Sequence, residues 1–218
     1  MTRRMRVLVA CERFGAVRDA FRNAGHDAWS CDLEGVEPYG EWPNYHLYGD
    51  CRWFLDGTAT YAPWDMLIAF PPCTYLSSSG LHWNKRIPGR AAKTEEALEL
   101  VRALIKAPIE RIAIENPEGC IGTRLAEQLA AHWFREQLIQ PHQFGHDASK
   151  ATRLRLKNLP QLRHAQHVAP RIVNGKKRWA NQTDSGQNRL GPSETRAAER
   201  GKTYPGIAAA MAQQWGRL

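Results

Sequence analysis

A cysteine stands directly behind two prolines at Pro71-Pro72-Cys73, and an acid–amide pair, Glu115-Asn116, closes a second apolar run. The first run is "WDMLIAF" (64–70) and the second is "RIAIENP" (111–117). A thiol at the mouth of a buried strand can serve as a covalent nucleophile. The prolines fix φ and hold the turn, so the sulfur projects at the sheet edge. A carboxyl at a dry strand end has a raised pKa and can donate or share a proton. Asn116 is suited to pin the neighbouring loop through backbone hydrogen bonds. A buried structural cysteine is the plain alternative for Cys73. A salt bridge or a cap is the alternative for Glu115, and an exposed basic strand for Arg153 and Arg155.

These residues need strands to carry them. "RVLVA" (6–10), "HDAWSCD" (26–32), "YHLYGD" (45–50), 64–70 and 111–117 read as strands. Helices are expected from Gly15 to Ala24, after a Thr94 cap with Leu98, Val101, Leu104 and Ile105 as its stripe, from Gly122 to Ile139, and from Gly206 to Trp215. "TRLRLKNL" (152–159) alternates like an edge strand or hairpin arm. Strands alternating with helices predict an α/β, Rossmann-like sheet with helices on both faces, which places ligands outside the strands' carboxyl ends. Those ends carry Cys11-Glu12, Asp32, Asp50, Pro72-Cys73 and Glu115-Asn116. Five polar or reactive residues at five strand ends are the main functional signal.

The chain has 218 residues and a net charge of +8. From Lys150 to Lys202 there are 13 Lys or Arg against three acids (Asp184, Glu194, Glu199), a local balance of +10, so the remainder sums to −2. Such a block suggests a polyanion partner, with a solvated irregular segment as the alternative. The expected organisation is a core over 1–162, a basic insertion over 163–202 and a closing helix over 203–218. The five cysteines form no Cys-x-x-Cys pair, so neither zinc nor any other metal is expected, and reduced thiols in a cytoplasm are the default. No stretch has the apolar length of a membrane span. Seventeen residues follow Cys73 before the helix, "TYLSSSGLHWNKRIPGR". Ser77 to Gly80, with Ser79, read as a hinge, and His82, Trp83, Lys85, Arg86 and Arg90 as a basic, aromatic tip suited to nucleic acid. A disordered surface loop is the alternative.

With these motifs in order, the chain resembles the cytosine carbon-5 DNA methyltransferases, in particular the small methylase-like proteins of phages and prophages. "VLVACERFGAVRDAFRNAGHDAWSCDLEG" is similar to the family's opening cofactor motif and "GDC" (49–51) to the next acidic one. "FPPCTYLSSSG" resembles the Pro-Cys motif with its mobile loop, "IENP" the Glu-Asn motif, "ATRLRLKNLP" the Arg-x-Arg strand, and "KTYPGIAAAMAQQWG" the closing motif. The chain departs from the family in its opening loop, which keeps only Gly15, and in its very short recognition region.

The resemblance implies S-adenosyl-L-methionine as cofactor, DNA as substrate, a bacterial host cytoplasm and a monomer or dimer. Cys73 would add to carbon 6 of cytosine, Glu115 would act at nitrogen 3, and Arg155 or Arg153 would bind oxygen 2 and orient Glu115. Cofactor contacts would come from Cys11, Glu12, Phe14, Gly15, Asp32, Leu33, Asp50, Cys51, Pro72, Thr203 and Tyr204, with Glu34 in reserve for Asp32 and helix N-terminal amides facing the methionine carboxylate. The same chemistry on a cytosine nucleotide or a single strand, and an inactive nucleic-acid-binding protein of this fold, are the alternatives.

Overall fold

A computed structural model describes residues 3–35, 41–60, 62–191 and 196–218. Positions 192–195 of the basic segment, Glu194 among them, lie outside the described residues.

The short apolar runs become strands β1 (Arg6–Ala10), β2 (Asp27–Asp32), β3 (His46–Tyr48), β4 (Met66–Ala69) and β5 (Arg111–Asn116). All five are parallel. Two further strands, β6 (Arg135–Ile139) and β7 (Thr152–Lys157), complete a seven-stranded sheet in the order β3-β2-β1-β4-β5-β7-β6. β7 runs antiparallel to both neighbours. The chain leaves β1 in one direction and returns at β4 on its other side. The β1–β4 boundary is therefore the topological switch point, where such sheets open a crevice.

Alternate residues of each strand feed two cores. Val7, Val9, Ile68, Ala113 and Leu154 pack under α1 (Ala16–Asn23) and the closing helix, called α7 below. Leu8, Ala10, Leu67, Ile112 and Ile114 pack under α3 (Arg90–Ile105) and a pair of short helices, α4 (Ile121–Arg124) and α5 (Ala126–Ala131). The turn between β4 and α3 holds the one-turn helix α2 (Ser78–Leu81). A separate hairpin, β8 (Arg171–Val173) with β9 (Lys176–Arg178), stands off the sheet and is followed by α6 (Arg196–Gly201). The closing helix α7 spans Pro205–Trp215, with Trp215 fully buried and donating Nε1–H to the Pro160 carbonyl at 2.9 Å.

Three expectations are corrected. The helix expected over 122–139 stops at Ala131, and residues 135–139 form the edge strand β6. Leu138 supplied apolar periodicity to the sequence but is 48% exposed, and pairing with β7 overrides helix propensity. The Arg-x-Arg strand is interior rather than an edge, although it is an arm of an antiparallel pair with β6. Thr94 does not cap α3. It lies inside the helix, buried, and donates to the Tyr75 carbonyl at 3.0 Å while accepting from Asn84 at 2.9 Å.

Candidate active site

Phe70 follows the end of β4 and its N–H still donates to the Ala10 carbonyl; the chain then passes through Pro71 and Pro72. Pro71 is buried and Pro72 exposed, with φ −54° and ψ 122°. Cys73 opens a tight turn, its carbonyl accepting from both Leu76 and Ser77 N–H groups, and the residue is exposed. The buried amide of Asn116 donates to the Pro71 carbonyl at 2.8 Å. This one bond ties the end of β5 to the turn that presents the thiol. The expected loop-pinning role of Asn116 takes that form.

Glu115 lies one residue back, on the opposite face of β5. It lines a narrow pocket with Phe70, Lys150, Thr152, Thr203 and Tyr204. Burial raises its pKa, with Lys150 and Arg155 opposing. Although Cys73 is exposed to solvent, the protein packed around its thiol desolvates it and raises its pKa; the Glu115 carboxylate adds to that, and Lys150 and Arg200 pull it down. Thiol and carboxyl thus sense each other and one lysine.

Register decides the fate of the two arginines. Residues paired across an antiparallel ladder share a face. Glu115 pairs with Leu154, Ile114 with Arg155, and Asn116 with Arg153. Both arginines therefore face away from the Glu115 pocket. Arg155, 2% exposed, pairs with Glu136 at 3.0 Å, and Arg153 pairs with Glu118 and Glu136. Neither arginine lines the Glu115 pocket, and Arg155 reaches Glu115 only through its charge. Lys150, the first residue of the basic block, lines the pocket instead. Its signal was the other half of the alternation: Lys150, Thr152, Leu154, Leu156.

Around the crevice, the residues expected to hold cofactor separate into groups. Asp32 is half-buried, its pKa raised by burial, and its Oδ1 accepts the Glu34 N–H at 3.0 Å. Leu33 beside it is 67% exposed. Cys11, at φ 57°, places its sulfur 3.9 Å from that of buried Cys51. Asp50 accepts from the Arg52 backbone and guanidinium at 2.9 Å, so that exposed guanidinium already covers it. The reserve acid Glu34 is ion-paired with Arg13.

Two cofactor expectations fail. Glu12 is buried and turns inward to accept from the Val17 N–H at 2.6 Å and the Arg18 N–H at 3.2 Å. It thus occupies the α1 amides expected to face a carboxylate, and burial raises its pKa to about 7. Gly15 supplies the left-handed turn (φ 73°) that starts the helix. Phe14 lies under the Lys202 ammonium at 5.0 Å, which brings the closing segment to the opening loop. Thr203 and Tyr204 line the Glu115 pocket.

The segment after Cys73 is docked rather than hinged. Ser77 and Gly80 are buried, Ser77 bridges to Gly119, and the Cys120 N–H donates to the Leu76 carbonyl at 2.9 Å. Ser79 contacts the Ser77 hydroxyl at 3.2 Å. The tip is exposed: His82 and Trp83 pack at 4.8 Å, Arg86 lies over Trp83 at 5.5 Å, and Lys85 points outward among them.

Among solved structures, a methyltransferase of Entamoeba histolytica, EhMeth, matches with a TM-score of 0.50 at 16% identity, over 77% of this chain and 58% of that one. The fold is that of a methyltransferase. Dnmt2 methyltransferase of S. pombe is also similar (TM-score 0.47, 19% identity, 72% of this chain and 50% of that one). So is Spodoptera frugiperda DNMT2 (0.47, 16%, 80% and 57%). The chain spans about half the length of the solved structures it matches. No family model and no curated protein matches the sequence. Among the described residues of this methyltransferase fold, no helix is long and apolar enough to cross a membrane.

Proposed function

We propose that the protein transfers a methyl group from S-adenosyl-L-methionine to carbon 5 of a cytosine in nucleic acid, through a covalent bond from Cys73 to carbon 6. The observation that carries this reading is the Asn116–Pro71 tie, which fastens the turn of the exposed Cys73 to the end of the strand that bears Glu115, whose charge the thiol senses.

Carbon 5 of cytosine is a poor nucleophile. Addition of the Cys73 thiolate at carbon 6 makes it enamine-like, which is covalent catalysis in its ordinary sense. Negative charge then gathers at nitrogen 3, where a protonated Glu115 can donate. Release of the carbon-5 proton and of the thiolate ends the cycle. The cofactor supplies an electrophilic methyl sulfonium. Its contacts would lie at one end of the crevice, where the Asp32 carboxylate can accept two ribose hydroxyls and exposed Leu33 offers an apolar platform for a ring. Asp50 serves an adenine only if Arg52 yields its place.

The shortness of the segment from 163 to 202 favours a second reading, in which the acceptor is single-stranded nucleic acid or a cytosine nucleotide. Incubation with labelled S-adenosylmethionine and a panel of duplex DNA, single-stranded DNA, RNA and cytosine nucleotides tests both readings. Label on carbon 5 of cytosine is expected. The cofactor should also raise the melting temperature by mass action, and Asp32→Ala should shrink that rise. No thermal shift at millimolar cofactor would remove the methyltransferase reading.

A further inference from the structure

We propose that Lys150 is the cation that receives the carbonyl oxygen of the target base, in place of a guanidinium from β7. The inference deepens the function proposed above and rests on it. The β5–β7 register turns Arg153 and Arg155 to the far face, where glutamates hold them. Lys150 alone brings a positive side chain into the wall of the Glu115 pocket among the described residues.

The backbone around Lys150 is held from several sides. Its N–H donates to Gln140 Oε1 at 3.0 Å, and its carbonyl accepts from the Thr152 hydroxyl at 3.1 Å. Ser149 before it exchanges two 2.9 Å bonds with the Asn181 amide, which fastens the segment following the basic hairpin to the pocket rim. Against this fixed frame the ammonium makes, among the described residues, one long hydrogen bond, 3.5 Å, to the Lys202 carbonyl. An ammonium has three donors, so it retains capacity for a ligand. A cytosine seated with its nitrogen 3 at Glu115 presents its exocyclic oxygen on the adjacent edge of the ring. A lysine there meets that oxygen as a point charge rather than a planar fork. The same charge pulls against the raised Cys73 and Glu115 pKa values, so it also acts on the thiol.

The test compares wild type, Lys150→Met, Lys150→Arg and Arg153→Gln. Two readings are taken: the pH profile of Cys73 alkylation by iodoacetamide, followed by peptide mass spectrometry, and methyl transfer to a cytosine oligonucleotide. Lys150→Met is expected to move the alkylation profile to higher pH. It should lower transfer about 10- to 100-fold, the usual loss for one hydrogen bond to a charged group, with unchanged cofactor KM. Lys150→Arg should recover part of both, and Arg153→Gln should match wild type. A wild-type profile and wild-type transfer in Lys150→Met would overturn the proposal, as would a loss confined to Arg153→Gln. If wild type transfers no methyl to any cytosine substrate while the Lys150→Met profile still moves, the function reading itself is overturned and Lys150 is reduced to a charge beside a thiol.

Discussion

At the scale of single residues, Cys73 and Glu12 make opposite uses of burial. Cys73 is exposed at a strand mouth, where the proposed mechanism needs its thiolate to add to carbon 6. Cys73→Ser should fold and bind cofactor as wild type does, because the change is nearly isosteric. Transfer should drop by about a hundredfold to a millionfold, the range for loss of a covalent nucleophile. With a 5-fluorocytosine substrate, where fluorine cannot leave as a proton, mass spectrometry should find the protein bound through Cys73. An adduct on Cys11 or Cys51 would refute the assignment. Glu12 is buried for architecture, as the internal acceptor at the start of α1. Its folded pKa, about 7, stands above the 4.5 of the free side chain, so the folded state keeps the proton longer. Its contribution is whole below about 4.5 and lost as pH rises through about 7, on the order of 3 kcal/mol. Stability curves of Glu12→Gln against pH should lack that decline between pH 5 and 8, while wild type should show it. Parallel curves would contradict this account.

Among elements, the five parallel strands were legible because a strand covered on both faces reads as an unbroken apolar run, as in "RVLVA" and "MLIA". The residues at their ends were legible for the same reason: a polar residue closing such a run stands out. β6 was not legible, since its pairing with β7 lies in no local pattern. Nor was the useful face of β7. A period-two sequence names two faces, and only the ladder to β5 says which one meets Glu115. The docking of the Cys73 segment was hidden too, because Gly119 reads as an ordinary loop glycine. A Cβ there would stand 1.9 Å from the Leu76 carbonyl oxygen, within backbone that cannot swing aside. Gly119→Ala should therefore undock residues 76–78. Limited proteolysis is expected to cut between Ser77 and Gly89 faster than in wild type, with transfer reduced severalfold. Equal cleavage rates would mean that the bridge does not hold the segment.

For the molecule as a whole, charge and connectivity matter most. The +10 block over 150–202 lies against a body of −2. Each phosphate it neutralises should contribute a slope near −0.9 in log affinity against log salt for duplex DNA. A fourfold rise in salt should weaken binding by roughly ten- to a thousandfold for a handful of contacts. A flat salt response, read by fluorescence anisotropy on a long duplex, would point to a nucleotide acceptor. Connectivity has a different consequence, one of timing. One wall of the Glu115 pocket is Thr203, Tyr204, Ile207 and Met211, and α7 fills much of the core beneath β1. During synthesis the strands bearing Cys73 and Glu115 emerge long before that wall exists. A growing chain thus carries its reactive thiol for much of its translation without the pocket that would use it. On the proposed reading, transfer can begin only after α7 has left the ribosome and settled against α1.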